Sequence, residues 1–96
     1  MRNTYLVCYD LTDDKRRDRV FKVCKNHGEH LQFSVFECDL NGSELAGLQR
    51  ELLGVISQSE DQVLFVNLGP SEGRGERTIA ALGKPYTAFD APCFIV

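Results

Sequence analysis

Tyr5-Leu6-Val7-Cys8-Tyr9-Asp10-Leu11-Thr12-Asp13-Asp14-Lys15-Arg16-Arg17-Asp18-Arg19-Val20 contains a change of period. Its first five residues are all apolar or aromatic, the composition of a strand buried on both faces. Tyr5, Val7 and Tyr9 fall on one face. Leu6 and Cys8 fall on the other, and Asp10 ends that second row. From Thr12 onward the pattern is helical. Thr12 or Asp13 supplies the cap, and Val20, Val23 and Cys24, with Phe21 at the margin, form the apolar stripe. A strand that ends in a carboxylate and passes at once into a basic helix opens a βα unit. It also sets a metal-ligating group beside a surface suited to phosphate.

The helix carries the chain's charge asymmetry. Net charge is −3, yet Lys15, Arg16, Arg17, Arg19, Lys22 and Lys25 are opposed locally by Asp18 alone. Screening confines fields to about 10 Å at 0.1 M salt, so this local excess outweighs the total. Lys15, Arg19 and Lys22 lie within about 60° of one another, opposite the apolar stripe. At 1.5 Å per residue they span about 10 Å, enough to meet two phosphates of one strand. Arg16 and Arg17 flank the stripe. Either can pair with Glu37 or Asp39, and Arg17 can instead clamp a phosphate beside Asp10.

Further along, Gly28 reads as the helix stop. His30–Leu40 reads as one long strand or two short ones, because no Gly or Pro marks a hairpin. Asn41-Gly42-Ser43 matches a glycosylation sequon but reads as the turn into a second helix, with an apolar stripe of Leu45, Leu48, Leu52 and Ile56. Val63–Leu68 is a strand, again apolar on both faces. Gly69–Arg77 reads as a loop without the spacing of a phosphate loop. Thr78–Leu82 reads as a short last strand. Pro85 and Pro92 break up a tail that ends on Cys93-Phe94-Ile95-Val96.

The 96 residues suit a single domain, with a core over about 4–70 and a loop, short strand and apolar tail over 71–96. Apolar content of 43% and charged content of 26% are ordinary for a globular chain. No apolar run approaches the roughly 20 residues that cross a bilayer, and no signal-peptide pattern is visible, so a cytoplasmic protein without membrane contact is expected. Cys8, Cys24, Cys38 and Cys93 form no CxxC pair and read as small reduced thiols. His27 and His30 lack the cysteine pair that would complete a zinc site.

The order β-α-β(β)-α-β predicts an α+β fold: a ferredoxin-like βαββαβ sandwich with both helices on one face of an antiparallel sheet and a short extra C-terminal strand. Two strands are apolar on both faces, so the second face needs a cover. A second copy, packed sheet to sheet, is the simplest one.

The segments Tyr9–Val20, Gly28 and Gln32-Phe33-Ser34-Val35-Phe36-Glu37-Cys38 together resemble the small CRISPR-associated protein of the adaptation module, the second core adaptation protein family. The likeness covers about residues 4–70. It implies a ferredoxin-like homodimer with metal-dependent endonuclease activity on single-stranded RNA or double-stranded DNA. It also implies a bridging role: binding duplex DNA and joining subunits of the larger CRISPR integrase during spacer acquisition. The divalent ion, Mg²⁺ or another such as Mn²⁺, is associated with the residue that maps to Asp10. Tyr9, Arg17 and Arg19 match the family's first motif, and Ser34 and Phe36 its second.

Asp10 is expected to be the metal ligand, as the resemblance implies, paired with its counterpart across a two-fold axis, because one carboxylate is few for an ion that wants six oxygens. Tyr9, Asp10, Arg17 and Ser34 are expected at the catalytic centre. Lys15, Arg16, Arg19 and Lys22 are expected on nucleic acid. Phe36, Phe94, Ile95 and Val96 are expected at protein interfaces. Two other classes stay open: a DNA-binding scaffold without catalysis, and a small regulatory ligand-binding domain.

Overall fold

The structure is a computed structural model that describes residues 1–72 and 81–84 of the chain. Six elements follow in order: β1 (Asn3–Asp10), α1 (Asp14–Lys25), β2 (Glu29–Gln32), β3 (Val35–Leu40), α2 (Gly42–Leu53) and β4 (Gln62–Pro70). The strands form one antiparallel sheet in the order β2-β3-β1-β4. β1 is therefore central although it comes first.

Alternation along β1 decides which face is core. Val7 and Tyr9 are buried with Phe36, Cys38 and Leu40 of β3, against Val20 and Cys24 of α1 and Leu48 and Leu52 of α2. Each large apolar side chain so enclosed contributes about 1.5–3 kcal/mol. Both helices thus cover the same sheet face. The helices start where the sequence says they should. Asp13 accepts from Arg16 N–H at 2.9 Å. Asn41 and Glu44 form a reciprocal capping box, with distances of 2.8 and 2.9 Å. Among the described residues, no helix is long and apolar enough to cross a membrane.

One open sequence reading is settled and two change. Residues 30–40 are two strands joined by a tight turn at Phe33 and Ser34, and Phe33 takes φ +32°, the left-handed region, without a glycine. Gly28 is not the helix cap. α1 ends on Asn26 in ordinary helical geometry, and Gly28 is glycine because a Cβ there would collide with the Glu37 carbonyl and the Cys38 sulfur of β3. The segment read as a loop from Gly69 begins inside β4, which continues to Pro70. Gly69 supplies a positive φ of 97°, and the Asn67 side chain accepts from its N–H at 2.8 Å. Residues 78–80 of the predicted last strand, Cys93 and the tail residues Phe94, Ile95 and Val96 lie outside the described residues.

The sheet's other face carries Leu6 and Cys8 of β1 beside Leu64 and Val66 of β4. Leu64 is 50% exposed, Val66 42% and Leu68 40%. The described residues leave this apolar face open.

Candidate nucleic-acid site

The site forms where three elements end together. Asp10 closes β1, α1 begins four residues later, and the β2–β3 turn comes alongside because Tyr9 N–H donates to the Ser34 carbonyl at 3.1 Å. Between them lies a pocket of about 430 Å³, lined by Tyr9, Asp10 and Leu11, by Arg17, Asp18 and Phe21 of α1, and by Phe33 and Ser34 of the turn. All four residues expected at a catalytic centre, Tyr9, Asp10, Arg17 and Ser34, line this one pocket.

Asp10 is exposed, and by alternation it belongs to the open sheet face that carries Leu6 and Cys8. Arg17 is held by neighbours in its own βα segment. Its Nη1 donates to Asp14 Oδ1 at 2.6 Å and its Nη2 to the Leu11 carbonyl at 3.3 Å. Tyr9 is mostly buried and stacks on Phe36, with ring centroids 6.3 Å apart. Burial first, and then the neighbouring Cys24, push its phenol up to about 12, against the opposing pull of Arg17. Tyr9 therefore stays protonated at neutral pH, able to donate a hydrogen bond but not to act as a base.

Asp10 and Asp18 offer carboxylate oxygens, the donors that a hard divalent ion takes. Among the described residues of one chain, no three His, Cys, Asp or Glu side chains gather. The described residues thus bring two carboxylates to this pocket, fewer oxygens than a hard divalent ion takes. His27 instead meets Glu51 at 2.7 Å, and His30 meets the Phe33 carbonyl at 2.7 Å. Burial raises the thiols of Cys24 and Cys38 to about 12 and about 11, which keeps both neutral.

Lys15, Arg19 and Lys22 are exposed together on α1, and none of them is in an ion pair with a described residue. Arg16 is a correction. It was expected on nucleic acid, with Glu37 or Asp39 as the alternative partner. Its guanidinium is instead spent on Asp61, with Nε to Oδ2 at 2.7 Å and Nη2 to Oδ1 at 3.3 Å, and on Glu60 at 3.2 Å. Asp61 also accepts from Ser57 N–H at 2.8 Å and Thr12 N–H at 3.4 Å. Phe36 is a second correction: it is 0% exposed inside the helix-covered core and presents no surface to a partner. Two further residues, Asp61 and Phe33, stand in this region without being marked by the sequence. Asp61 could not be, because its partner lies 45 residues away. Phe33 could have been, because strand alternation that puts Phe36 and Cys38 inward leaves little room for it there.

Residues 3–73 match the family model described as CRISPR associated protein Cas2. The chain belongs to the Cas2 family. Curated relatives agree along most of its length. The CRISPR-associated endoribonuclease Cas2 1 of Rhodospirillum rubrum is 34% identical over 94 residues, 98% of this chain and 91% of the relative. The CRISPR-associated endoribonuclease Cas2 of Thermus thermophilus is 43% identical over 76 residues, 78% of this chain and 80% of the relative. Among solved structures, Cas2 of Streptococcus pyogenes superposes with a TM-score of 0.66 and 30% identity, covering 80% of this chain and 99% of that one. A hypothetical protein of Thermus thermophilus gives a TM-score of 0.74 at 28% identity, covering 91% and 100%. The chain is thus a CRISPR-associated protein of the Cas2 family, and a place in the adaptation machinery fits that membership. Every pocket residue lies inside the matched span, whereas Phe94, Ile95 and Val96 lie beyond it.

Proposed function

We propose that this Cas2 chain serves spacer acquisition as a ferredoxin-like homodimer that holds nucleic acid and bridges subunits of the larger integrase. We propose further that it hydrolyses phosphodiester bonds with the help of a divalent ion, Mg²⁺ or Mn²⁺, at Asp10. The observation that carries the reading is the meeting of Asp10, Arg17 and Ser34 in one pocket beside an exposed cationic helix face. The curated relatives are named endoribonucleases, which supports the chemistry.

The residues divide the work by charge. Asp10 holds the ion together with its counterpart from a second copy, the open face of Leu64 and Val66 being the surface that brings the two together. Bound there, the ion supplies charge neutralisation at the scissile phosphate and an acidified water. Arg17 places its guanidinium against a non-bridging phosphate oxygen. The Ser34 hydroxyl and the neutral Tyr9 phenol donate hydrogen bonds to oxygens that gain charge. Lys15, Arg19 and Lys22 hold the backbone alongside without reading sequence.

The test is Asp10→Asn, assayed on single-stranded RNA and duplex DNA with Mg²⁺, with Mn²⁺ and with chelator. Cleavage that needs the ion and disappears in the variant, while nucleic-acid binding stays intact, is the expected result. A variant that cleaves like the native protein removes Asp10 from the chemistry. If cleavage is lost but spacer acquisition in cells survives, the scaffold role is the biological one. That second reading is favoured by the few carboxylates that gather among the described residues.

A further inference from the structure

We propose that Phe33 is a stacking platform for one unpaired nucleobase, which makes the pocket a reader of single strands. The inference rests on the nucleic-acid reading of the same pocket and names the form of strand it takes.

Phe33 is 93% exposed, so its ring gains nothing from burial within its own chain. Its backbone adds strain, because φ +32° is a region that a side chain with a Cβ rarely enters. A glycine or asparagine at this turn would relieve the strain and remove the apolar surface together. The turn is nevertheless firmly held. His30 Nε2–H donates to the Phe33 carbonyl at 2.7 Å. The His30 ring is itself fixed between Phe21 and Phe36, with both centroid distances 4.9 Å. The fold thus holds the strained backbone that presents an exposed phenyl ring at the pocket.

The neighbours say what the ring meets. Phe33 shares the pocket with Arg17 and Ser34, and the helix that supplies Arg17 also carries Lys15, Arg19 and Lys22. A flat apolar ring beside phosphate-binding groups suits a ligand that is aromatic and anionic in regular repeat, which is a nucleic-acid strand with its bases unstacked. A paired base cannot offer its face without leaving the duplex. Stacking on Phe33 therefore separates single strands from duplexes while ignoring base identity, since every base has a π-face.

The experiment uses an oligouridylate carrying one 2-aminopurine, made as RNA and as DNA, and a fully paired duplex of equal length. Chelator is present so that strands stay intact. Native protein is expected to bind the single strands and quench the 2-aminopurine. Phe33→Ala should bind them about tenfold more weakly or worse, lose the quenching, and bind the duplex as before. Phe33→Trp should keep both the affinity and the quenching. Single-strand affinity unchanged in Phe33→Ala overturns the proposal, and so does equal weakening for single strand and duplex. Loss of self-association with single-strand binding intact also overturns it, in favour of a protein contact. Native protein that binds no strand of any kind overturns the underlying functional reading as well, which separates the two failures. The RNA and DNA arms identify the sugar.

Discussion

At the scale of single residues, the least expected structure is the Arg16–Asp61 clasp. The Asp61 side chain is 0% exposed. Its hydrogen bonds from the Arg16 guanidinium, and then from the backbone N–H groups of Ser57 and Thr12, outweigh the opposing effect of burial and hold the carboxyl down at about 2. The folded state therefore binds this proton less readily than the unfolded chain does. The stabilisation is fully present above the ordinary carboxylate range near 4, and it fades as pH falls from there toward 2. Thermal midpoints measured across that window should drop in the native protein. Asp61→Asn should start lower at neutral pH and show a shallower drop, whereas Glu60→Gln, at the exposed partner, should follow the native curve. Equal slopes for Asp61→Asn and native protein would remove the clasp from the acid response. Residues like these mark where sequence reading stops. Arg16 looked available because its partner arrives from a distant loop, and Phe36 looked like interface because its burial depends on both helices docking over it.

At the scale of elements, much was legible. The uninterrupted apolar run of β1, the stripe of α1, the acid at its cap and the leucine spacing of α2 follow from local periodicity and termination chemistry. The hairpin at Phe33 and Ser34 was not legible, because its turn residues are not the usual ones and its geometry is imposed by His30 and the aromatic cluster beneath. Gly28 was recognised as a boundary for the wrong reason: close approach to β3 is a tertiary fact that a single strand-helix pattern does not contain. The exposed face of α1 makes a direct prediction. Replacing Lys15, Arg19 and Lys22 by Glu should leave the circular dichroism spectrum unchanged, since all three point to solvent. It should weaken duplex binding alike for every sequence. A pair of native chains making about six phosphate contacts should give a log–log salt slope near −5, and the triple variant a much flatter one. A variant with the native slope would show that phosphates lie elsewhere.

For the whole molecule, the open sheet face matters most. Two strands apolar on both sides called for a cover, and the described residues leave Leu64, Val66 and Leu68 between 40% and 50% exposed. Burial contributes about 25 cal/mol per Å², so the proposed joining of two such faces would stabilise both chains and tie native stability to concentration. The thermal midpoint should rise with protein concentration. Val66→Lys should yield monomers in sedimentation runs and lose that dependence, whereas native protein that sediments as a monomer at every concentration would rule out the pairing. The sheet order carries a consequence for biosynthesis as well. β1 is translated first yet occupies the interior of the sheet, between β3 and β4. Its hydrogen-bonding edges wait for residues 35–40 and then for 62–70. Among the described strands, the sheet around β1 therefore closes only once β4 has left the ribosome. Until then, neighbouring nascent chains on one polysome present the same unpaired apolar strand, the kind of edge that favours pairing between chains.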